Sequence, residues 1–437
     1  MKNTTATILR LAREKACLTQ EQAAQVVDTV VADIAALETD GVSDWTVSGW
    51  VVPRLLVEAY RMTQEEIAGM DASIAYFARF LREPFATGGE ILAEGEALMS
   101  ASKEGSRAHL FAVRGLIRAY ANDRQFEKAM RLASDALDRY NELDGRGEDM
   151  TDILLDIGNA HTQRGDFLLA LTEYERAIDC ILKHHGKTLD HDDADEDERN
   201  TFASWQKQLS SQLARAYSSA LIAAAKVGDT ERVKDYADKC RVLLEFSDFS
   251  RKDWYLTTIE YSIASAARLR EDYETAAEHY EAARQGYEKA GRHIEAARML
   301  GNVGEMLMEM GRLTDAEKAL DESRRLKVEY GESEAYLLST DVTLARLLFK
   351  LATNHDGDHA GYDAAATLAK AVYANPAALA ETRLEAAELL AEMSDDIAMI
   401  RRACATAATL EQTPANTAMV WRLLKKIGGD AANVNRH

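Results

Sequence analysis

The sequence predicts an all-α fold, most of it a solenoid of stacked helical hairpins. Three observations carry this. Only four of the 437 residues are proline, while Ala, Leu, Glu and Arg, the strong helix formers, are abundant. Period-2 runs of Val, Ile, Thr and aromatic residues, the mark of strands, are missing. Instead, amphipathic segments come in pairs around polar turns: in residues 151–178, Ile153, Leu154 and Ile157 precede Gly165 and Asp166, and Leu169, Ala170, Tyr174 and Ala177 follow them.

Residues 8–38 open the chain with three short helices, ILRLAREKA, LTQEQAAQVV and TVVADIAALE, with a break at Asp28 before the third. Thr19 is placed to cap the second helix, with Gln22 three residues on completing a capping box. Leu11, Leu18, Ala24, Val27, Ile34 and Leu37 are the expected small core. Leu9, Arg13, the run Leu18-Thr19-Gln20-Glu21, Ala24, Val27, Ile34 and Glu38 together resemble the helix-turn-helix of the XRE, or phage-repressor, type, and MTQEEI at 62–67 is similar to the opening of that family's fifth helix.

This resemblance covers residues 1–70 and implies a DNA-binding domain whose third helix, starting near Val30, enters the major groove. The outward positions there are Val30, Val31, Ala32, Asp33, Ala35 and Ala36. None makes the bidentate base contacts of Arg, Lys, Asn or Gln, so Val30 and Val31 are left with thymine methyls. Thr19, Gln20 and Gln25, with Arg10, Arg13 and Lys15, are the expected contacts to the phosphate backbone. The head holds six basic and ten acidic residues, a net −4. Two readings stay open: a DNA-binding head, or one retained for dimerisation or packing.

Residues 71–109 read as linker helices, and 110–379 as the repeat array. In each repeat a polar turn is followed by small residues seven apart: Ala129 and Ala136, Ala170 and Ala177, Val233 and Cys240, Ala276 and Ala283, Ala316 and Ser323. Residues seven apart share a helical face, and small ones let a neighbouring helix approach closely. These segments resemble the tetratricopeptide repeat, which implies a right-handed α-solenoid. The clearest copy starts near Thr151, and degenerate copies start near Leu110, Ala214, Thr257 and Ala297, with a poor sixth over 346–375. Their start-to-start spacings of 41, 63, 43, 40 and 49 residues exceed the standard of about 34, so the helices are longer. The insert, 184–200, carries seven acids within 190–198 and is expected to be a mobile loop. Residues 380–437 are expected to supply capping helices and a frayed tail.

The tetratricopeptide resemblance also says which side chains of each first helix line the ligand-facing surface. Those positions are held by Arg114, Arg118 and Asn122, then Asn159, Thr162 and Gln163, then Arg215, Ser218 and Lys226, then Tyr261 and Arg268. Glu305 and Glu309 follow, with Asn302 adjacent. Asparagine and glutamine amides can bond the open backbone of an extended peptide, and the cations favour a carboxylate such as a free C-terminus. The competing reading is a set of solvated or ion-paired side chains.

An XRE-like head followed by long-helix tetratricopeptide repeats resembles the RRNPP group of peptide-pheromone regulators. That resemblance implies a short signalling peptide as ligand, promoter DNA as target and a homodimer matching two half-sites. The formal net charge of −21 argues against a broad grip on nucleic acid or anionic lipid but leaves room for a small DNA-reading site. Four scattered cysteines, no leader pattern and no long apolar run lead us to expect a cytoplasmic protein. We expect no cofactor, no metal site at His184, His185 and His191 or at His355 and His359, and no catalytic constellation. The alternative from another class is an interaction adaptor whose head does not read DNA.

Overall fold

The computed structural model describes residues 4–29, 31–40, 51–143, 147–184, 196–246, 251–354 and 359–393, with Ala405 and Trp421. All regular elements among the described residues are helices, and none of these is long and apolar enough to cross a membrane. The chain forms two compact units, Met1–Ser262 and Ile263–His437.

In the first unit, α1 (Thr4–Lys15), α2 (Gln20–Val26) and α3 (Val31–Asp40) are followed by α4 (Val51–Arg54), which runs into a π-helical turn at Leu55–Ala59, and by α5 (Gln64–Ala68). Thr19 caps α2 and Thr63 caps α5, each in a reciprocal capping box. Asp28 ends the α2 turn at φ 56°, a left-handed conformation that Asp tolerates better than most residues. Leu9, Ala24, Val27, Ile34 and Leu37 are buried and Leu18 packs against them. Leu11, by contrast, is 55% exposed, a correction to the expected core: the buried stripe of α1 runs through Leu9 and Ala12 and leaves Leu11 outside it.

Next come α6 (Ala72–Arg82) and α7 (Gly89–Ala101). The head does not have a core of its own. Ile74, Ala75, Phe77 and Ala78 of α6, and Phe111 of the first hairpin, belong to the same apolar cluster as Leu9, Ile34 and Leu37. Three hairpins complete the unit: α8 (Arg107–Asn122) with α9 (Phe126–Leu143), α10 (Gly147–Arg164) with α11 (Phe167–His184), and α12 (Glu196–Val227) with α13 (Thr230–Phe246). The unit boundary falls within α14 (Lys252–Leu269).

The second unit contains α15 (Tyr273–Lys289), α16 (His293–Glu309) with α17 (Leu313–Glu329), α18 (Glu334–Asn354) with α19 (His359–Ala374), and α20 (Ala380–Met393), which packs on α18 and α19. The last hairpin starts at Glu334 rather than near 346, because α18 extends over 21 residues. The expected loop over 184–200 also needs correction at its end: α12 is 32 residues long and begins at Glu196. Acidic residues are favoured in a first helical turn, so part of the acidic run starts a helix. His185, His191 and the rest of 185–195 lie outside the described residues, as do His355 and the tail beyond Met393 except Ala405 and Trp421.

The seven-apart small residues do what their spacing implies. Ala129, Ala136, Ala170, Ala177, Val233, Cys240, Ala276, Ala283, Ala316 and Ser323 are all buried. Gly158 of α10 shows how close the helices come: a Cβ there would lie 2.3 Å from the Tyr174 ring of α11. Gly165, at φ 88°, then closes α10 in the left-handed conformation that lets the chain reverse into α11.

One buried cation stands out in the second unit. Lys327 of α17 is 7% exposed and donates to Thr340 Oγ1 at 2.7 Å. Burial pushes its amine down to about 8 from the ordinary 10.5. A base with a depressed folded value binds fewer protons in the native state, so stability rises with pH between those two values. Lys327→Met should therefore stabilise the second unit at pH 7 by up to about 3 kcal/mol, with the gain shrinking as pH climbs through 8 toward 10.5. Slower amide exchange in α16–α18 at pH 7 is the check, and unchanged exchange there would contradict it.

Candidate ligand face and head

In the first unit α8 packs on α10 and α10 on α12, so side chains of the first helices meet along one row. Its centre is an ion network on two carboxylates one helical turn apart. Arg114 donates through Nη1 to Asp152 Oδ2 and through Nε to Asp156 Oδ2, both at 2.8 Å. Arg118 reaches Asp156 Oδ1 at 2.6 Å, and Arg215 of α12 bonds Asp152 Oδ1. Burial pushes the Asp156 carboxyl up, but the Arg114 and Arg118 guanidiniums outweigh it and hold it below the usual carboxylate range.

This network decides which of the expected ligand contacts remain. Arg114 is 1% exposed with its guanidinium on two acids, so a ligand does not reach it. That corrects its expected role: its charge holds α8 to α10. Asn122 is also a clamp, donating to the carbonyls of Pro84 and Ala86 at 2.9 Å each and accepting from Gln163 Nε2 at 3.1 Å. Thr162 is tied to the Gly158 carbonyl and the Tyr174 hydroxyl.

Others stay at the surface. Asn159 is exposed; its Oδ1 accepts from Tyr174 at 2.8 Å, and its amide N–H groups have no partner among the described residues. Exposed Gln163 has no partner for Oε1 among the described residues. Arg118 and Arg215 retain 19% and 17% of their side-chain surface beside the acids. Lys226 at the end of α12 lies 5.9 Å from the Tyr261 ring, which brings together two residues expected from separate repeats. Counting these groups, Arg114, Arg118, Arg215 and Lys226 against Asp152 and Asp156 leave the row net positive.

Four more of the expected positions, Arg268, Asn302, Glu305 and Glu309, lie in the second unit. Arg268 is 3.6 Å from Glu305, and Asn302 donates to the Met299 sulfur at 3.9 Å. Glu309 pairs with Lys350 at 3.0 Å.

Sequence reasoning missed Asp152 and Asp156. Their signal was present: they stand four apart on α10, and Asp152 is seven before Asn159, so all three share a helical face.

In the head, the motif residues gather around Glu38. Arg13 grips it with Nε to Oε1 at 2.7 Å and Nη2 to Oε2 at 3.1 Å, Gln20 Nε2 donates at 2.9 Å and Tyr60 Oη at 3.1 Å. Burial raises the Glu38 carboxyl, yet these donors together hold it below its ordinary value. Arg13 and Gln20 are thus committed to Glu38 rather than free for phosphate, a correction to their expected role. Thr19 is exposed and caps α2, Gln25 and Arg10 are exposed, and Val31 is 37% exposed beside Ala32. Val30 lies outside the described residues.

A second buried cation fixes the turn before α3. Arg54 donates to the carbonyls of Val27 and Val26 at 3.1 Å, approaches Asp28 Oδ2 at 3.4 Å from both Nη atoms, and bonds Glu58 at 3.1 Å. Glu58 in turn takes Arg251, just before α14. Neighbouring Tyr255 is buried, which pushes its phenol up to about 12 against the opposing pull of Arg54 and Arg215.

A family model described as tetratricopeptide repeat matches residues 255–329. No curated protein matches the chain. Among solved structures, the apo form of RapI is similar over 82% of this chain and 99% of its own, at 13% identity and a TM-score of 0.53. A Rap protein complexed with competence and sporulation factor covers 83% of this chain and 98% of its own at 14% identity and a TM-score of 0.45. Bacillus thuringiensis PlcR, solved with the peptide PapR7 and DNA, covers 78% and 98% at 11% identity and a TM-score of 0.34. At such identities the likeness to RapI is one of fold: the chain is an all-α helical-repeat protein of the tetratricopeptide type.

Proposed function

We propose that the chain is a cytoplasmic regulator that binds a short peptide on the α8–α10–α12 row and passes its occupancy to the N-terminal head, which binds promoter DNA as a homodimer. The observation that carries the peptide reading is the pair of exposed amides, Asn159 and Gln163, beside a row with surplus positive charge. An extended peptide has unpaired N–H and C=O groups for such amides, and its C-terminal carboxylate suits Arg118, Arg215 or Lys226. Lys226 over Tyr261 also offers an aromatic surface for an apolar side chain.

Asn159→Ala is expected to weaken peptide retention roughly tenfold while leaving helicity unchanged, because it removes an exposed donor while the Tyr174 hydroxyl that Asn159 accepts from keeps Thr162 as a partner. Retention of a pool of synthetic heptapeptides with free C-termini, measured by mass spectrometry after gel filtration, checks this. Equal retention by the variant would remove Asn159 from the site.

A second reading is favoured by one specific observation: Arg13 and Gln20 are spent on Glu38, and α3 exposes Val31 and Ala32 where base-reading donors are needed. In that reading the protein is an interaction adaptor with a packing head. A gel shift on DNA from upstream of its own coding region separates the two. The regulator binds with an affinity that falls steeply with salt, and the adaptor shows no specific complex at any salt.

A further inference from the structure

We infer that Phe77 of α6 couples the Arg118–Asp156 pair on the ligand face to the third helix of the head. The inference rests on the reading of that face as the peptide site, but its test needs no peptide. Phe77 is fully buried and lies in the apolar cluster that holds Leu9, Ile34 and Leu37 of the head. Its ring is also the platform for both guanidiniums of the network: Arg114 lies 4.6 Å and Arg118 4.7 Å from its centroid. Phe111 of α8 adds a ring contact at 5.7 Å. One side chain therefore belongs to the head's core and to the ligand face at once.

The two guanidiniums sit over Phe77 because Asp156 holds them there. Arg114 Nε and Arg118 Nη2 converge on its two oxygens at 2.8 and 2.6 Å. A carboxylate arriving on the row competes with Asp156 for Arg118, the more exposed of the pair. Drawing Arg118 off Asp156 also draws its plane off the ring, which uncovers one face of a side chain in the cluster that holds Ile34 and Leu37 of α3. Packed cores shift between discrete arrangements rather than yielding continuously, so this small displacement has a route to α3 through the shared cluster. Phe77 acts through its neighbours and is a positioning residue.

The test is a double-mutant cycle on the full-length chain, read by hydrogen exchange of the α3 amides, Val31–Asp40. Asp156→Asn keeps the shape of the side chain and removes the charge that holds both guanidiniums. It is expected to raise α3 exchange about tenfold, and to raise it less than about twofold in a Phe77→Leu background, which retains apolar bulk but lacks the ring face. Should Phe77→Leu unfold the head, Arg118→Gln replaces it in the cycle without touching the head's core, and the same non-additivity is expected. Additive effects or no change in α3 would overturn the inference, as would a rise in α3 that persists undiminished in the Phe77→Leu background, since that is what loss of global stability alone produces. Failure of the peptide reading shows separately, as absence of retained peptide with the cycle intact.

Discussion

Replacing Asp156 by alanine is expected to destabilise the first unit by about 3–5 kcal/mol, the usual cost of stranding one partner of a buried ion pair. The carboxylate is 1% exposed and receives Arg114 and Arg118. Without it, Arg114 loses one of its two carboxylates at a position that water does not reach, and α8 loses its link to that turn of α10. The first transition in urea unfolding should shift accordingly. Arg176→Ala, which removes an exposed pair with Glu173, should change it by less than about 1 kcal/mol. The pH dependence has a definite sign. Because the folded carboxyl is held below its ordinary value, its contribution is present above that value and is lost as pH falls beneath it toward the depressed one. A shift below about 1 kcal/mol would mean that the network does not hold α8 to α10.

Arg54→Met is expected to loosen the head by a similar amount, about 3–5 kcal/mol. Arg54 is 2% exposed, and its loss leaves the Val26 and Val27 carbonyls without their donor and the Asp28 carboxylate buried without its cation. Arg54→Lys should recover little, since one ammonium does not span two carbonyls and two carboxylates that a planar guanidinium reaches together. Amide exchange across α2 and α3 measures this, and wild-type protection in Arg54→Met would refute it. The same change should weaken whatever the head binds, because Arg54 fixes the turn from which α3 starts.

The repeats were legible because their signal is local. Small residues seven apart, Gly158 opposite Tyr174 and left-handed Gly165 are each set by one hairpin, and Thr19 with Gln22 is set by four consecutive residues. The row of first-helix side chains was legible by position, and the pairing of its charges was not. Arg114 sits on the helix face that the repeat pattern assigns, but its partners lie 38 and 42 residues away, and no local rule weighs that pairing against a ligand. Arg13 and Gln20 failed in the same way: Glu38, itself a motif residue, takes both. Leu11 failed because a short helix with apolar residues at 8, 9, 11 and 12 allows more than one buried stripe, and only α3 decides between them. The shared core of head and hairpin was invisible because Phe77 and Phe111 join it from segments that read as linker and repeat.

The proposed placing of a peptide on the first helices of the first unit is checked by hydrogen exchange of the full-length chain with and without a heptapeptide that it retains. Protection is expected in α10 from Asn159 to Gln163 and in the facing turns of α8 and α12 around Arg118 and Arg215, and it should vanish in Asn159→Ala. Protection confined to the second helices α9, α11 and α13, or no retained peptide at all, would rule that placing out.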